Sequence, residues 1–221
     1  QCRIEMIPSC KASIEQTLKL VKEVFGDEPL TSERYVHVSH PGLILDILGR
    51  LDFESETKFL ELKSKGLIRG YGVSIDTYEE LKTVLTHWDV DVIEILFNIV
   101  NQDVAKLFDE VEKRGILLVV KVPLDSGWLT GKYNQKSQFS GIRSRWDQQT
   151  KDIRSKIINE IKSVVTDDDL VKTALSFILK HNAVTTVIPG VKNKEQLYSN
   201  IDGVQYCLPD EVFEKLNTLY K

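Results

Sequence analysis

An α/β fold built on parallel strands is predicted by the order of segments in this 221-residue chain. Short segments rich in β-branched residues alternate with longer segments that carry apolar residues at helical spacing. Such alternation, with short turns, indicates parallel strands joined by right-handed crossovers. Strands are predicted at residues 2–7, 35–39, 67–74, 90–96, 116–122 and 184–188. This pattern alone favours a doubly wound sheet and a (β/α)8 barrel equally, and a barrel requires further strands.

The predicted helices follow the strands along the chain. They cover residues 12–25, 54–65, 76–85, 103–114, 152–164, 168–181, 193–201 and 209–220. We expect Asp76 to cap its helix and Gly66 to end the preceding one, because glycine accepts the left-handed conformation of a helix C-cap. A long loop, residues 125–147, interrupts the alternation. No linker of low complexity occurs, so a single domain over residues 1–221 is predicted.

Composition and charge exclude several classes of partner. The net charge is −4 and no block of Lys or Arg occurs, so neither nucleic acid nor a membrane surface is expected as a partner. Cys2, Cys10 and Cys207 lack CxxC spacing and are interpreted as free thiols in a reducing cytoplasm. No apolar run approaches the roughly 18 residues of a membrane span, and no signal-peptide pattern opens the chain. The sequence specifies no oligomeric state.

The chain begins at Gln1, without a methionine and close to the start of a predicted strand. A barrel that lacks its first strands leaves strand edges unpaired, which is unfavourable. We therefore expect that further residues precede Gln1 in the native protein.

Three predicted strands end in segments suited to a ligand. Ser74 ends one buried strand, and residues 123–133 follow another with glycines, hydroxyls and a lysine. Residues 188–196 lead from the last strand into a helix whose first amides are unpaired, beside Lys192. A helix N-terminus and a lysine together stabilise an anion, and parallel α/β folds bind ligands at these strand ends. Each segment taken singly is also typical of an ordinary turn.

Other binding and catalytic motifs are absent from the sequence. Neither GxGxxG nor GxxxxGK[ST] occurs, so Rossmann-type dinucleotide binding and P-loop phosphate transfer are not indicated. HExxH and GxSxG are also absent. His37 and His40 lie close together without a further ligand nearby, so no metal site is predicted.

Four strings stand out by their order and spacing. They are KGLIRGYGVS at residues 65–74, the segment 123–133 ending in Gly-Lys-Tyr, GIRSRW at residues 141–146, and VIPG at residues 187–190 followed by Glu195, Gln196 and Asn200. Together they resemble the aldo/keto reductase family, over most of the chain, and most closely its bacterial-type branch with an extended Gly-Lys-Tyr loop. The resemblance implies a (β/α)8 barrel, present here without its first strands, that binds NADPH across the carboxyl ends of its strands.

The same resemblance implies roles for individual residues. Ser74 would hydrogen-bond the nicotinamide carboxamide, Asn98 would line the floor of the site, and Lys121 takes the position where many members stack a tyrosine on nicotinamide. Lys192 is the candidate for a 2′-phosphate. The residues expected around the pyrophosphate are Leu124, Ser126, Gly127 and Leu129, and those expected at the adenosine end are Gly190, Lys192, Gln196 and Asn200.

The resemblance also implies the reaction. The family transfers a hydride from the cofactor to a carbonyl while a tyrosine donates the proton, assisted by a lysine, an aspartate and a histidine. The Asp and Tyr positions precede Gln1. His40 is favoured over Ser39 for the histidine position, and Met6 is the candidate for the lysine position. The function implied is NADP(H)-dependent reduction of an aldehyde, ketone or sugar-like carbonyl.

Three departures from the family pattern motivate an alternative. Ile75 replaces an asparagine found in many members, Glu94 replaces a glutamine, and a methionine at the lysine position would not lower a tyrosine pKa by charge. The alternative is a catalytically inactive barrel that acts as a regulatory or binding subunit. A sugar-phosphate enzyme on an ordinary barrel is a third hypothesis, which leaves the Gly-Lys-Tyr loop unexplained.

Overall fold

The computed structural model describes residues 5–6, 36–39, 54–140, 144–165 and 169–220. They divide into two units. The first runs up to Ile95 and includes Leu107–Val119, and the second consists of Leu96–Lys106 and the residues from Val120 onward. The prediction of one domain over residues 1–221 stays a prediction.

The first unit is built on parallel strands adjacent in chain order. They are β1 (Glu5–Met6), β2 (Val36–Ser39), β3 (Tyr71–Ile75), β4 (Val92–Leu96) and the first part of β5 (Leu117–Lys121). The pairs from β1 to β4 are parallel, and the register places Ser39 beside Ser74 and Ser74 beside Glu94. The predicted parallel arrangement is therefore confirmed, and the carboxyl ends of these strands lie at one edge.

Strand β3 begins four residues later than the sequence predicts. Helix α1 (Glu54–Ser64) is followed by Gly66, which has the left-handed φ of +68° expected of a residue that closes a helix. The amide of Leu67 then donates to the carbonyl of Leu62 at 3.0 Å. The apolar residues after Gly66 therefore complete the helix C-cap and the turn, and they are not available to pair as a strand.

Helix α2 (Tyr78–His87) is capped by Thr77 and not by Asp76. The Thr77 hydroxyl accepts a hydrogen bond from the Glu80 amide, and the Glu80 carboxylate accepts one from the Thr77 amide. This reciprocal capping box satisfies two backbone amides at once. The helix therefore begins at Tyr78, one residue later than a cap at Asp76 would place its start. Helix α3 (Phe108–Lys113) follows a 3-10 helix over Asp103–Leu107, where one continuous helix was predicted.

The second unit contains the end of β5 and β6 (Val184–Val187), which are neighbours in the sheet. Its helices are α4 (Gln148–Val164), α5 (Leu170–Leu179), α6 (Lys194–Gln205) and α7 (Asp210–Leu219), together with a 3-10 helix at Asp125–Thr130. Helix α4 starts before the predicted residue 152 because Asp147 caps it, accepting from the Thr150 amide. Helix α6 packs closely on α5. No helix in the described part of the chain is long and apolar enough to cross a membrane.

The approach of β3 to β4 generates a prediction about stability. A Cβ atom added to Gly72 would lie 2.1 Å from the backbone carbonyl oxygen of Val92, whereas one added to Gly190 would meet nothing within 4 Å. Because the contact at Gly72 is with backbone, we expect Gly72→Ala to lower the free energy of unfolding by about 3 kcal/mol or more.

Urea unfolding measures this effect, with Gly190→Ala as the matched control. The control should keep its free energy of unfolding within about 0.5 kcal/mol, since nothing lies within 4 Å of the added Cβ atom. Equal losses in the two variants would contradict the close approach at Gly72.

Candidate active site

A cleft of about 440 Å³ lies within the second unit. Its walls come from the end of β5 and the turn that follows, from α5, and from the β6–α6 connection with the start of α6. We refer to this cavity as the cleft. Its lining residues are Val122, Pro123, Leu124, Ser126, Gly127, Thr130, Lys132, Val171, Ile188, Gly190, Val191, Lys192, Gln196, Ser199 and Asn200.

One wall of the cleft is a turn with left-handed backbone, residues 122–127, which we name the wall turn. Val122, Asp125 and Ser126 have φ values of +53°, +44° and +55°, and Gly127 has +100°. Left-handed backbone costs a residue with a Cβ roughly 1–2 kcal/mol, and a β-branched valine is among the least suited residues. The wall turn therefore holds strain that the surrounding structure must offset.

Asn98 lies directly beneath the wall turn and is fully buried. Its Nδ2 donates to the carbonyl of Val122 at 3.0 Å. Its Oδ1 accepts from the amides of Val100 and Asn101, at 2.9 and 3.1 Å, and from the Asn101 side chain at 3.1 Å. The side chain thus joins the turn after β4 to the turn after β5.

The wall turn also contains a buried carboxylate. Asp125 is 6% exposed and forms a salt bridge with Arg154 of α4. Burial raises the pKa of the Asp125 carboxyl above its usual range, and the nearby guanidinium of Arg154 offsets this only in part. The ion pair therefore fixes the wall turn to α4 more than it stabilises the fold.

Aromatic rings pack beside the wall turn, around Trp128. Trp128 is fully buried and lies 5.7–5.9 Å, between ring centroids, from Tyr133, Phe139 and Trp146. A Cβ atom on Gly127 would lie 3.1 Å from the ring of Tyr133. Both the positive φ and the short distance to Tyr133 therefore require glycine at this point. The packed rings restrict how far the wall turn can move.

The opposite wall presents a helix N-terminus and a lysine. The Asn193 side chain caps α6 by accepting from the Gln196 amide, and Gln196 Oε1 in turn accepts from the Lys192 amide at 2.9 Å. Lys192 and, from the first wall, Lys132 bring two positive charges to the cleft. A cleft with two cations beside a helix N-terminus is suited to phosphate groups.

Asn200 supplies an unusual polar group in the cleft wall. It is 6% exposed, and its Nδ2 is buried without a hydrogen-bond acceptor among the described residues. A buried amide donor left without an acceptor costs about 1–3 kcal/mol. A ligand in the cleft that accepts a hydrogen bond from this amide would remove that cost.

The first unit holds further residues considered from the sequence. Ser74 is buried at the end of β3, where its hydroxyl donates to Glu94 Oε1 at 3.3 Å, and Ile75 beside it is fully buried. His40, the predicted catalytic residue, lies outside the described residues. Met6 belongs to β1, and the structure describes only its backbone.

The structure brings most of the predicted cofactor residues into one cleft, and it adds others. Seven residues that were predicted to hold the cofactor line the cleft: Leu124, Ser126, Gly127, Gly190, Lys192, Gln196 and Asn200. Asn98, Lys121 and Leu129, which were also predicted to bind the cofactor, are not among its lining residues. Leu129 is fully buried, and Lys121 is half-buried at the end of β5. Nothing in the sequence indicated Val171 or Ser199, whereas Thr130 and Lys132 belong to the segment 123–133 that was predicted to suit a ligand.

Comparison with known proteins establishes the family. The model of the aldo/keto reductase family matches residues 37–221, well over half of the chain. This chain therefore belongs to the aldo/keto reductase family.

Individual relatives are distant in sequence. An uncharacterized oxidoreductase of Schizosaccharomyces pombe is 28% identical, over 71% of this chain and 44% of its own length. Pyridoxal 4-dehydrogenase of Microbacterium luteolum is 25% identical, over 72% of this chain and 46% of its own length. The NADH-specific methylglyoxal reductase of Escherichia coli is also 25% identical, over 68% of this chain and 48% of its own length. The chain thus spans about half the length of these curated relatives.

Solved structures show the fold. An aldo-keto reductase from Bacillus halodurans superposes with a TM-score of 0.71 at 21% identity, covering 96% of this chain and 69% of that one. A glycerol dehydrogenase from Gluconobacter oxydans superposes with a TM-score of 0.69 at 18% identity, covering 92% of this chain and 63% of that one. These matches confirm the predicted class, an α/β fold of the (β/α)8 barrel type.

The unpartnered amide of Asn200 generates a prediction about stability and binding together. Leucine has nearly the same shape without the buried donor, so Asn200→Leu should keep the free energy of unfolding or raise it by about 1 kcal/mol. The same variant should bind NADPH about tenfold more weakly, a loss of about 1.4 kcal/mol.

Asn217→Leu is the matched control. Asn217 Oδ1 is likewise buried without a donor in the part of the chain that the structure describes, but the residue lies on α7 and does not line the cleft. Its replacement should leave NADPH affinity unchanged. A loss of stability in Asn200→Leu with unchanged affinity would show that Asn200 serves the fold alone.

Proposed function

We propose that this chain forms the cofactor-binding part of an NADP(H)-dependent oxidoreductase that reduces an aldehyde, ketone or sugar-like carbonyl. Membership of the aldo/keto reductase family supports a nicotinamide cofactor and a small carbonyl substrate. The cleft in the second unit is the proposed seat of the dinucleotide phosphates and the adenosine.

The residues of the cleft fit this cofactor. A dinucleotide requires positive charge and amide groups for its phosphates and a hydrogen-bonding surface for its sugar and base. The two lysines, the α6 N-terminus and the backbone of the wall turn meet the first requirement, and Gln196, Ser199 and Asn200 meet the second. The observation that carries the proposal is the buried Nδ2 of Asn200, because it is costly without a ligand.

The chemistry divides between the cofactor and the protein. When bound, the nicotinamide supplies the hydride. The residues of the cleft hold the phosphate end, and Ser74 is proposed to orient the carboxamide at the end of β3. His40 is proposed to orient the substrate carbonyl. The tyrosine that donates the proton is expected before Gln1, so turnover is proposed for the whole protein.

The preference for NADPH over NADH is assigned to Lys192. A 2′-phosphate carries about two negative charges, and its binding gains from a lysine beside a helix N-terminus, whereas NADH presents only a hydroxyl there. A relative named as NADH-specific exists in Escherichia coli, so the preference must be tested for this protein itself.

Replacing Lys192 tests this assignment. Lys192→Ala should weaken NADPH binding about tenfold and leave NADH binding within about twofold, because only the 2′-phosphate loses its partner. Quenching of tryptophan fluorescence during titration measures both affinities. Lys194→Ala is the matched control, since Lys194 is exposed at the same helix start but does not line the cleft.

The control should keep the affinity of the unchanged protein for both cofactors. A similar loss in both variants would mean that general positive charge attracts NADPH. If Lys192→Ala lowers NADH affinity as much as NADPH affinity, then Lys192 does not recognise the 2′-phosphate.

A catalytically inactive barrel with a regulatory or binding role is the second candidate. Two observations favour it: Ile75, fully buried, offers no hydrogen bond beside Ser74, and Glu94 replaces a neutral amide in the same place. NADPH oxidation by the whole protein on addition of an aldehyde separates the two. Tight NADPH binding without oxidation of any of a panel of carbonyls would favour the inactive barrel.

A further inference from the structure

Asn98 does not face the cofactor cleft, although it was expected to line the floor of the site. Its exposed fraction is 0%, and it is not a lining residue of the cleft. Three N–H groups converge on its Oδ1, which leaves that oxygen no capacity for a ligand. The same three donors fix the orientation of the amide, so its Nδ2 must point to the carbonyl of Val122.

The bond from Asn98 reaches the wall turn where the backbone first becomes left-handed. The Val122 carbonyl accepts from Asn98 Nδ2 at 3.0 Å and from the Asp125 amide at 3.1 Å. These two donors come from different segments of the chain, and together they hold the Val122 carbonyl in place. A valine with a φ of +53° needs such support, because an ordinary extended conformation is otherwise favoured.

We propose that Asn98 is a positioning residue for cofactor binding, which acts through the Val122 carbonyl to hold the wall turn in its left-handed form. In that form Leu124, Ser126 and Gly127 line the cleft. Without the bond, Val122 relaxes and these three residues leave the positions from which they contact a dinucleotide phosphate. This inference rests on the proposed function and deepens it.

Asn98→Asp is the sharpest variant. A carboxylate still accepts the three hydrogen bonds at the Oδ1 position, but it cannot donate to Val122 and repels its carbonyl. NADP⁺ affinity should fall about tenfold. A role confined to folding would lower thermal stability and leave the NADP⁺ affinity of the folded protein unchanged.

Asn101→Ala is the matched control. It removes one hydrogen bond to Asn98 Oδ1 but leaves the two backbone donors in place and adds no charge, and Asn101 is exposed. The control should keep NADP⁺ affinity within about twofold of the unchanged protein. If the two variants lose NADP⁺ affinity equally, or if each loss merely follows the fall in melting temperature, the proposal is overturned.

Amide hydrogen exchange without cofactor tests the same inference independently of binding. The amides of Asp125, Gly127 and Leu129 donate to backbone carbonyls of the turn, and they should exchange about tenfold faster in Asn98→Asp but not in Asn101→Ala. Unchanged exchange there would overturn the role of Asn98. If the unchanged protein binds no NADP⁺ but the exchange result holds, then the proposed function fails and the support of Val122 by Asn98 stands.

Val122→Gly provides a second route if Asn98→Asp folds poorly. Glycine adopts the left-handed conformation without steric cost, so the wall turn depends less on Asn98 in that background. Adding Asn98→Asp to Val122→Gly should then cost less than half the fold-change in NADP⁺ affinity that it costs alone. An equal cost in both backgrounds would show that Asn98 does not act through Val122.

Discussion

The left-handed turn after β5 is the constraint on which the rest of the candidate site depends. A valine, an aspartate and a serine adopt backbone conformations there that they ordinarily avoid. Three separate interactions offset this cost: the Asn98 amide beneath the turn, the salt bridge of Asp125 with Arg154, and the aromatic rings around Trp128. Each comes from a different part of the second unit, so the shape of the cleft depends on the packing of that whole unit.

The cleft also concentrates groups that reduce stability when no ligand is bound. Asn200 leaves a buried donor without an acceptor among the described residues, and Lys132 and Lys192 place like charges around one cavity. Such groups are unfavourable in a fold maintained for stability alone. The proposed dinucleotide would offset all of them together, because it would bring negative phosphates and hydrogen-bond acceptors to the same place.

The sequence predicted the strand ends well and the turns less well. Five of the seven predicted residues that line the cleft lie in the connections after β5 and β6, where parallel α/β folds bind ligands, and Gln196 and Asn200 lie on α6. Val171 and Ser199 lie within helices, and their proximity to the cleft depends on how α5 and α6 pack, which periodicity does not specify. Nothing near Val122 indicates a left-handed φ, because the residue that supports it lies 24 positions earlier. The choice of Thr77 over Asp76 as a helix cap depended on the carboxylate of Glu80, a signal present in the sequence.

Hydrogen exchange of the protein with and without saturating NADPH tests the central claim most directly. If the cleft of the second unit holds the dinucleotide, bound NADPH should slow exchange in two separate segments, residues 122–131 and residues 192–200, and the slowing should saturate with cofactor concentration. Exchange that stays unchanged in both segments at saturating NADPH would contradict the account, because the cleft would then hold another ligand or none.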